Sequence, residues 1–180
     1  MQREEDAVVK PLVSLGAALS LLLGGCTSLP EGVEPVQDFD LNGYLGKWYE
    51  IARTDNRFER GMEQVTAEYS LRGDGGITVR NKGYLPETKE WKEIEGKAYP
   101  ARNPDEGYLK VSFFGPFYAA YGIFELGPEG DYAFVSGHNR SYLWLLARTP
   151  TVARSVVERF EERAVELGFE TGNLVYVNQE

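Results

Sequence analysis

The chain is short of the side chains that most site chemistry relies on. Its 180 residues contain one cysteine, Cys26, and one histidine, His138. One cysteine excludes a disulfide within the chain. A zinc site takes about four ligands, usually drawn from cysteine and histidine, and this chain cannot supply the usual set. Positive charge is scarce as well: 19 Lys+Arg stand against 28 Asp+Glu, a net charge of −9. An acidic surface repels a phosphate backbone, which argues against nucleic acid as a partner. What the chain does have is apolar and aromatic. Hydrophobic residues reach 42%, enough for a core, and 11 Tyr, 9 Phe and 3 Trp with 20 Gly favour strands and tight turns over helices. The length fits one domain with a short appendage.

Long apolar runs are lacking too. Residues 11–23, after Lys10, form an apolar run of thirteen residues, well short of the ~20 needed to span a bilayer and of the size of a signal-peptide core. It ends in Leu23-Gly24-Gly25-Cys26, which resembles the bacterial lipobox, where lipid joins the cysteine thiol and the peptide is cut just before it. Residues 1–25 are therefore expected to be a lipoprotein signal peptide, with Cys26 as the lipidated residue. Glu4-Glu5-Asp6 are unusual in such a leader, and a start at Val8 or Val9 would account for them. Cleavage removes Arg3 and Lys10 with Glu4, Glu5 and Asp6, which moves the net charge by one unit to −8. Residues 26–38 read as the lipidated cysteine and a tether reaching roughly 35–40 Å when extended. Residues 39–180 form the folded domain.

Within that domain, short runs rich in aromatic and β-branched residues alternate with turn signals. Eight strands are expected: 47–57, 64–71, 76–85, 91–99, 107–114, 117–126, 131–137 and 141–148. Arg72-Gly73-Asp74-Gly75-Gly76 between the second and third is a hairpin signal. Regular spacing of about ten to fifteen residues predicts an antiparallel meander, hence a sandwich or an up-and-down barrel. One helix follows, with Thr149 as its cap and Pro150 at its first position. Val152, Val156, Phe160, Ala164 and Leu167 fall on one of its faces, and Gly168 suits its stop. Leu174–Val177 can return beside the first strand.

Alternation says which side faces what. Val65, Ala67, Tyr69 and Leu71 share one face of the second strand and polar residues the other. The last strand is apolar on both faces, as a strand between an interior and a helix should be. The fold expected is all-β: an eight-stranded antiparallel up-and-down barrel with one C-terminal α-helix packed outside. Such a barrel either fills with side chains or holds one small ligand, and small inward residues, Ala67 and Ala98, favour a cavity. Parity proposes its wall: Ala67 and Tyr69, Val79 and Asn81, Ala98, then Leu109, Val111 and Phe113, Tyr121, and finally Tyr142 and Trp144. A slip of one residue would flip a whole strand's set. No cluster of Lys or Arg shares this parity, so a phosphate is not expected deep inside.

Gly46-Lys47-Trp48-Tyr49 at the head of the first strand resembles the lipocalin signature. Phe39, Asp40, Tyr44 and Leu45 lead into it, and Leu145-Leu146-Ala147-Arg148 closes the eighth strand. Trp48-Tyr49-Glu50-Ile51-Ala52-Arg53, Asn81-Lys82-Gly83-Tyr84, residues 110–117 and Tyr142-Leu143-Trp144 are similar to the bacterial outer-membrane branch of that family, near apolipoprotein D. The resemblance covers about residues 38 to 178. It implies a calyx-shaped barrel whose Arg148 packs across Trp48 at the closed end, with Gly46 as part of the signature. It also implies binding of fatty acids or lysophospholipids, no cofactor and usually no catalysis. By the same resemblance Thr27, where an aspartate would signal inner-membrane retention, points to the outer membrane, with the barrel facing the periplasm. The turn Gly127-Pro128-Glu129-Gly130-Asp131-Tyr132 matches the family's middle motif only in part.

Two other functions compete with lipid binding. An enzyme in this shell would need a nucleophile or base in the cavity, but Cys26 precedes the barrel, His138 falls in a turn, and Glu93 and Glu95 alternate with Ile94 and so face outward. A structural or protein-binding module would leave the barrel empty. The sequence leaves open which lipid is bound and whether two barrels pair as a homodimer.

Overall fold

A computed structural model describes residues 27–180; the expected signal peptide and Cys26 lie outside the described residues. A single turn of helix, α1 (Leu41–Tyr44), leads into a continuous meander of β1 (Gly46–Thr54), β2 (Glu63–Leu71), β3 (Ile77–Leu85), β4 (Glu90–Pro100), β5 (Tyr108–Ser112), β6 (Ala119–Leu126), β7 (Tyr132–Ser136) and β8 (Leu143–Ala147). Each strand pairs antiparallel with the next, and β8 returns to β1. The sheet thus closes on itself and leaves no long free edge to aggregate. After helix α2 (Arg154–Glu166), β9 (Leu174–Tyr176) pairs with the far end of β1, on the side that β2 leaves.

Local chemistry accounts for the elements. The β2–β3 turn is tied by the Gly75 amide to the Arg72 carbonyl and by the Gly76 amide to Asp74, whose carboxylate also pairs with Arg72 at 3.1 Å. In β1 the register shifts between Glu50 and Ala52, a bulge that admits one extra residue and reverses which residues point inward. Helix α2 ends where Gly168 takes φ +77°, a conformation open to glycine at little cost.

Two apolar cores result. The inner one fills the lower barrel with Trp48, Ala67, Tyr69, Ile77, Val79, Ala98, Leu109, Ile123, Ala133, Val135 and Leu146. The outer one lies between the barrel wall and α2, where Phe134, Leu143 and Leu145 meet Phe160, Ala164 and Phe169. β8 serves both, which explains its apolar character on both faces.

Three features differ from the sequence expectation. Helix α2 starts at Arg154 rather than at Pro150, with Ala153 at its cap and no capping side chain. Arg148 is held at the barrel end, its amide bonded to the Asp131 carbonyl, and Thr149 bonds forward to the Thr151 carbonyl, so residues 149–153 carry the chain to the outer wall before it can wind. β8 starts at Leu143, so Tyr142 lies outside it, for the Tyr142 carbonyl accepts from Gly137 to close the turn. Residues 27–38 are not a free tether. Val33 is buried against the outer core, Leu29 packs where a Cβ on Gly122 would come within 2.5 Å, and the Val36 backbone bonds to Ile123 and Gly107.

The lower end of the barrel is shut by Trp48, 0% exposed. Its indole donates to the Tyr44 carbonyl at 2.8 Å, and the Tyr44 ring packs against it, tilted, at 4.7 Å. Arg148 lies over the outer face of the ring at 3.8 Å and donates to the carbonyls of Gly43 and Lys47. Trp48→Ala should cost about 3–5 kcal/mol as a large core truncation, and Arg148→Ala about 1–2 kcal/mol by its cation–π contact and packing. Urea denaturation of the two variants measures both; unchanged midpoints would mean that neither residue closes the barrel.

Candidate ligand-binding site

The inner face of the barrel has a filled floor and an accessible upper part. Ala67, Tyr69, Val79, Ala98 and Leu109 are buried in the floor. Val111, Phe113, Tyr121 and Trp144 pack against the same core yet stay partly exposed, and the upper wall is thus open to solvent at one end. Asn81, paired with Ala67 and Ile94 across the sheet, shares this face, and its Oδ1 is buried without a hydrogen-bond partner. Strand parity thus brings ten of the eleven expected wall residues to one surface. Tyr142 is the exception. It sits at the rim, stacked between Phe58 at 6.5 Å and Trp144 at 6.0 Å.

Three tyrosines tie the floor to the wall above it. Tyr121 shares hydrogen bonds of 2.8 Å with both Tyr44 and Tyr69. Burial pushes all three phenols above their ordinary range, so they stay protonated at any physiological pH.

Alternation did not reveal a charged post inside the barrel. Past the β1 bulge, Arg53 turns inward and is 1% exposed. It donates to Glu50 at 2.7 Å and to the Glu59 carbonyl at 2.6 Å, while its Nε has no partner. The Glu59 carboxylate in turn accepts from Asn56 and from the Trp144 indole at 3.1 Å. One cation, Arg53, thus stands on the inner face, to which parity assigned no cluster of Lys or Arg. The bulge shifted the parity, and the cation is already engaged by Glu50 and by the backbone of the β1–β2 loop. Burial raises the Glu50 carboxyl above its ordinary range and the charge of Glu59 adds to this, while Arg53 opposes both.

Nothing in this arrangement resembles a catalytic set. Glu93 and Glu95 face outward to Arg80 at 3.4 and 3.1 Å. His138 lies in the β7–β8 turn against Tyr142. Among the described residues no group of His, Cys, Asp and Glu is placed to hold a metal ion. A closed eight-stranded barrel, plugged by tryptophan under arginine and open above, matches a family model described as a lipocalin-like domain over residues 39–179.

The chain belongs to the lipocalin family.

Among lipocalins it is similar to the outer membrane lipoprotein Blc of Vibrio cholerae, 60% identical over 162 residues that cover 89% of this chain and 95% of the relative. The protein of the same name from Escherichia coli K12 is 48% identical over 171 residues, covering 94% and 96%. Lobster apocrustacyanin A1 shares the fold at 23% identity, with a TM-score of 0.63 over 85% of this chain and 94% of that one. Both Blc relatives are named as outer membrane lipoproteins.

The buried Glu50 makes stability depend on pH. Its folded pKa is raised, so the folded state holds this proton more tightly than the unfolded chain does. That contribution is complete below the ordinary glutamate range and is lost as pH rises through the folded value. The melting temperature of the wild type should therefore fall as pH rises from weakly acidic to neutral, and Glu50→Gln should flatten that slope. A wild-type slope of the opposite sign would show that Arg53, not burial, governs Glu50.

Proposed function

We propose that this lipocalin stores or carries one single-chain amphiphile, a fatty acid or a lysophospholipid, for maintenance of the membrane that holds it. The observation that carries this reading is the division of the barrel interior. An apolar and aromatic upper wall, reached by solvent, stands over a filled floor, and the unpartnered Asn81 oxygen lies on the same face. An acyl chain satisfies the wall, and a hydroxyl or protonated carboxyl satisfies the amide oxygen, which otherwise costs about 1–3 kcal/mol. An eight-stranded bore is narrow and favours one chain over two. Arg53 is committed to Glu50 and the Glu59 carbonyl, so a charged headgroup stays solvated at the mouth. We assign the anchor to Cys26, one residue before the described chain, with the barrel facing the periplasm; several acyl chains make such attachment stable where one is marginal.

The buried floor is a poor place to test the cavity. Ala98 is 0% exposed, and a tryptophan there or at Ala67 would overpack the floor instead of blocking the bore. Val111 points into the accessible part, so Val111→Trp should weaken binding by at least about tenfold, or ~1.4 kcal/mol, with the fold retained. The measurement is quenching of Trp144 fluorescence by titrated lysophospholipid or fatty acid, with Trp144→Phe to subtract the other tryptophans. Equal affinity in Val111→Trp would place the lipid elsewhere, and no binding of either lipid would leave an empty barrel that serves as a protein-binding module.

The anchor is tested separately. Cys26→Ala should move the protein from the outer-membrane fraction to the soluble one, with the barrel's circular dichroism unchanged; a variant that still pellets with outer membranes refutes lipidation at Cys26.

A further inference from the structure

The docked leader fixes where the acyl anchor leaves the barrel. Tyr108 donates to the Thr27 carbonyl, Leu29 packs on Gly122, and Arg140 donates to the Glu31 carbonyl at 2.8 Å. Cys26 is one peptide unit, about 3.8 Å, before Thr27. With the lipid on Cys26, as proposed above, the membrane has to meet the outer wall of β5 and β6 instead of hanging at the end of a long spacer.

That wall differs from the rest of an acidic protein. Thr27 sits in a groove with Ser28, Arg102, Tyr108, Lys110 and Tyr118. Lys97 and Lys110 flank the Tyr118 ring at 5.8 and 5.7 Å, and among the described residues neither is ion-paired. The nearby carboxylates are occupied: Glu106 by Arg102 at 3.0 Å and Asp74 by Arg72 at 3.1 Å. Immediately above, the β5–β6 loop exposes Phe117 at 78% and Phe114 at 65%. Other exposed aromatics at the mouth are covered: Phe58 by Arg57 and Tyr142, Trp91 by Lys82 and Tyr84. Among the described residues Phe114 and Phe117 have no aromatic or cationic partner. Bare aromatics beside unpaired lysines and a tyrosine suit a bilayer interface, where rings sit at headgroup level and ammonium groups meet anionic lipid.

We propose that the β5–β6 flank is a membrane-docking face: Phe114 and Phe117 enter the interface of an anionic bilayer, Lys97 and Lys110 lie on its headgroups, and the barrel leans with one lip of its mouth on the lipid. The net negative charge elsewhere repels the same surface and fixes the tilt. A ligand then passes between bilayer and calyx over the lip formed by the β5–β6 loop.

The test uses the mature lipoprotein with one added cysteine. The Cys26 thiol is blocked by its lipid, so a bimane label reports only the new site. Phe114→Cys keeps Phe117 in place. Phe58→Cys lies in the β1–β2 loop, across the mouth by strand order. Both are incorporated into phosphatidylethanolamine vesicles with phosphatidylglycerol, with brominated acyl chains as quencher. The docking face predicts quenching several-fold stronger at 114 than at 58. Combined Lys97→Glu and Lys110→Glu should abolish that difference while flotation with vesicles persists. Equal quenching at both sites, or none at 114 in a protein that floats, overturns the docking face. So does a difference that survives in vesicles without phosphatidylglycerol and in the charge-reversed variant, or that appears without vesicles at high protein concentration, which would make the face a contact between copies. A protein that lacks the acyl mass by mass spectrometry and does not float overturns the anchor itself, and the docking face with it.

Discussion

One contact holds this fold in its closed form: Trp48 under Arg148. Trp48 stands at the head of the first barrel strand and Arg148 just past the end of the last, and a hundred residues of meander separate them. A meander can splay open between its first and last strands, because that pairing carries the largest loop-closure entropy. The indole fills the lower end, where an eight-stranded bore would otherwise admit water. The guanidinium covers the ring and clamps the carbonyls of Gly43 and Lys47, so plug and seam are one structure. The short helix α1 is held by the same network, through the indole bond to Tyr44.

With the bottom shut, the interior divides by side-chain size and charge. Tyrosines and branched aliphatics occupy the floor. Above them, β1 leaves regular pleating at its bulge and sends Arg53 inward, where Glu50, Glu59 and Asn56 surround it. That post braces the β1–β2 loop on one side of the mouth. Buried charge seldom adds net stability against an apolar substitute; its effect here is to fix a loop position and to take up the inward cation, which leaves the opposite wall of β3, β5 and β6 as the apolar part. Stiffness on one side and exposed rings on the other make the mouth asymmetric.

Much of this was legible in the chain itself because a barrel strand obeys a period of two. Tyr69, Val79 and Leu109 lie on the inner face because each belongs to an unbroken alternating run, and the β8 face that meets helix α2 is visible as a second apolar stripe. The signature around Trp48 located the closed end. What escaped followed from breaks in the period or from long-range contacts. Arg53 was hidden by a one-residue shift in β1. Tyr142 looked like a strand residue until the Gly137 turn claimed its backbone. Thr149 and Pro150 carried a local helix signal that the anchoring of Arg148 overrode. Residues 27–38 have no periodicity, so only the groove they fill shows that they belong to the folded body. Ala98 lies between Ile77 and Val111 on the neighbouring strands and is fully buried, so its small side chain does not widen the bore.

The tyrosine trio on the floor has a consequence in simple proton counting. Three hydroxyls supply three hydrogens, and there are three pairs to link: Tyr121 bonds to Tyr44 and to Tyr69 at 2.8 Å, and Tyr44 and Tyr69 also reach each other. Each hydroxyl can then donate once and accept once, and the ring can run in either direction without any heavy atom moving. The base of the calyx therefore satisfies itself, and a ligand gains nothing by bringing a polar group down to it.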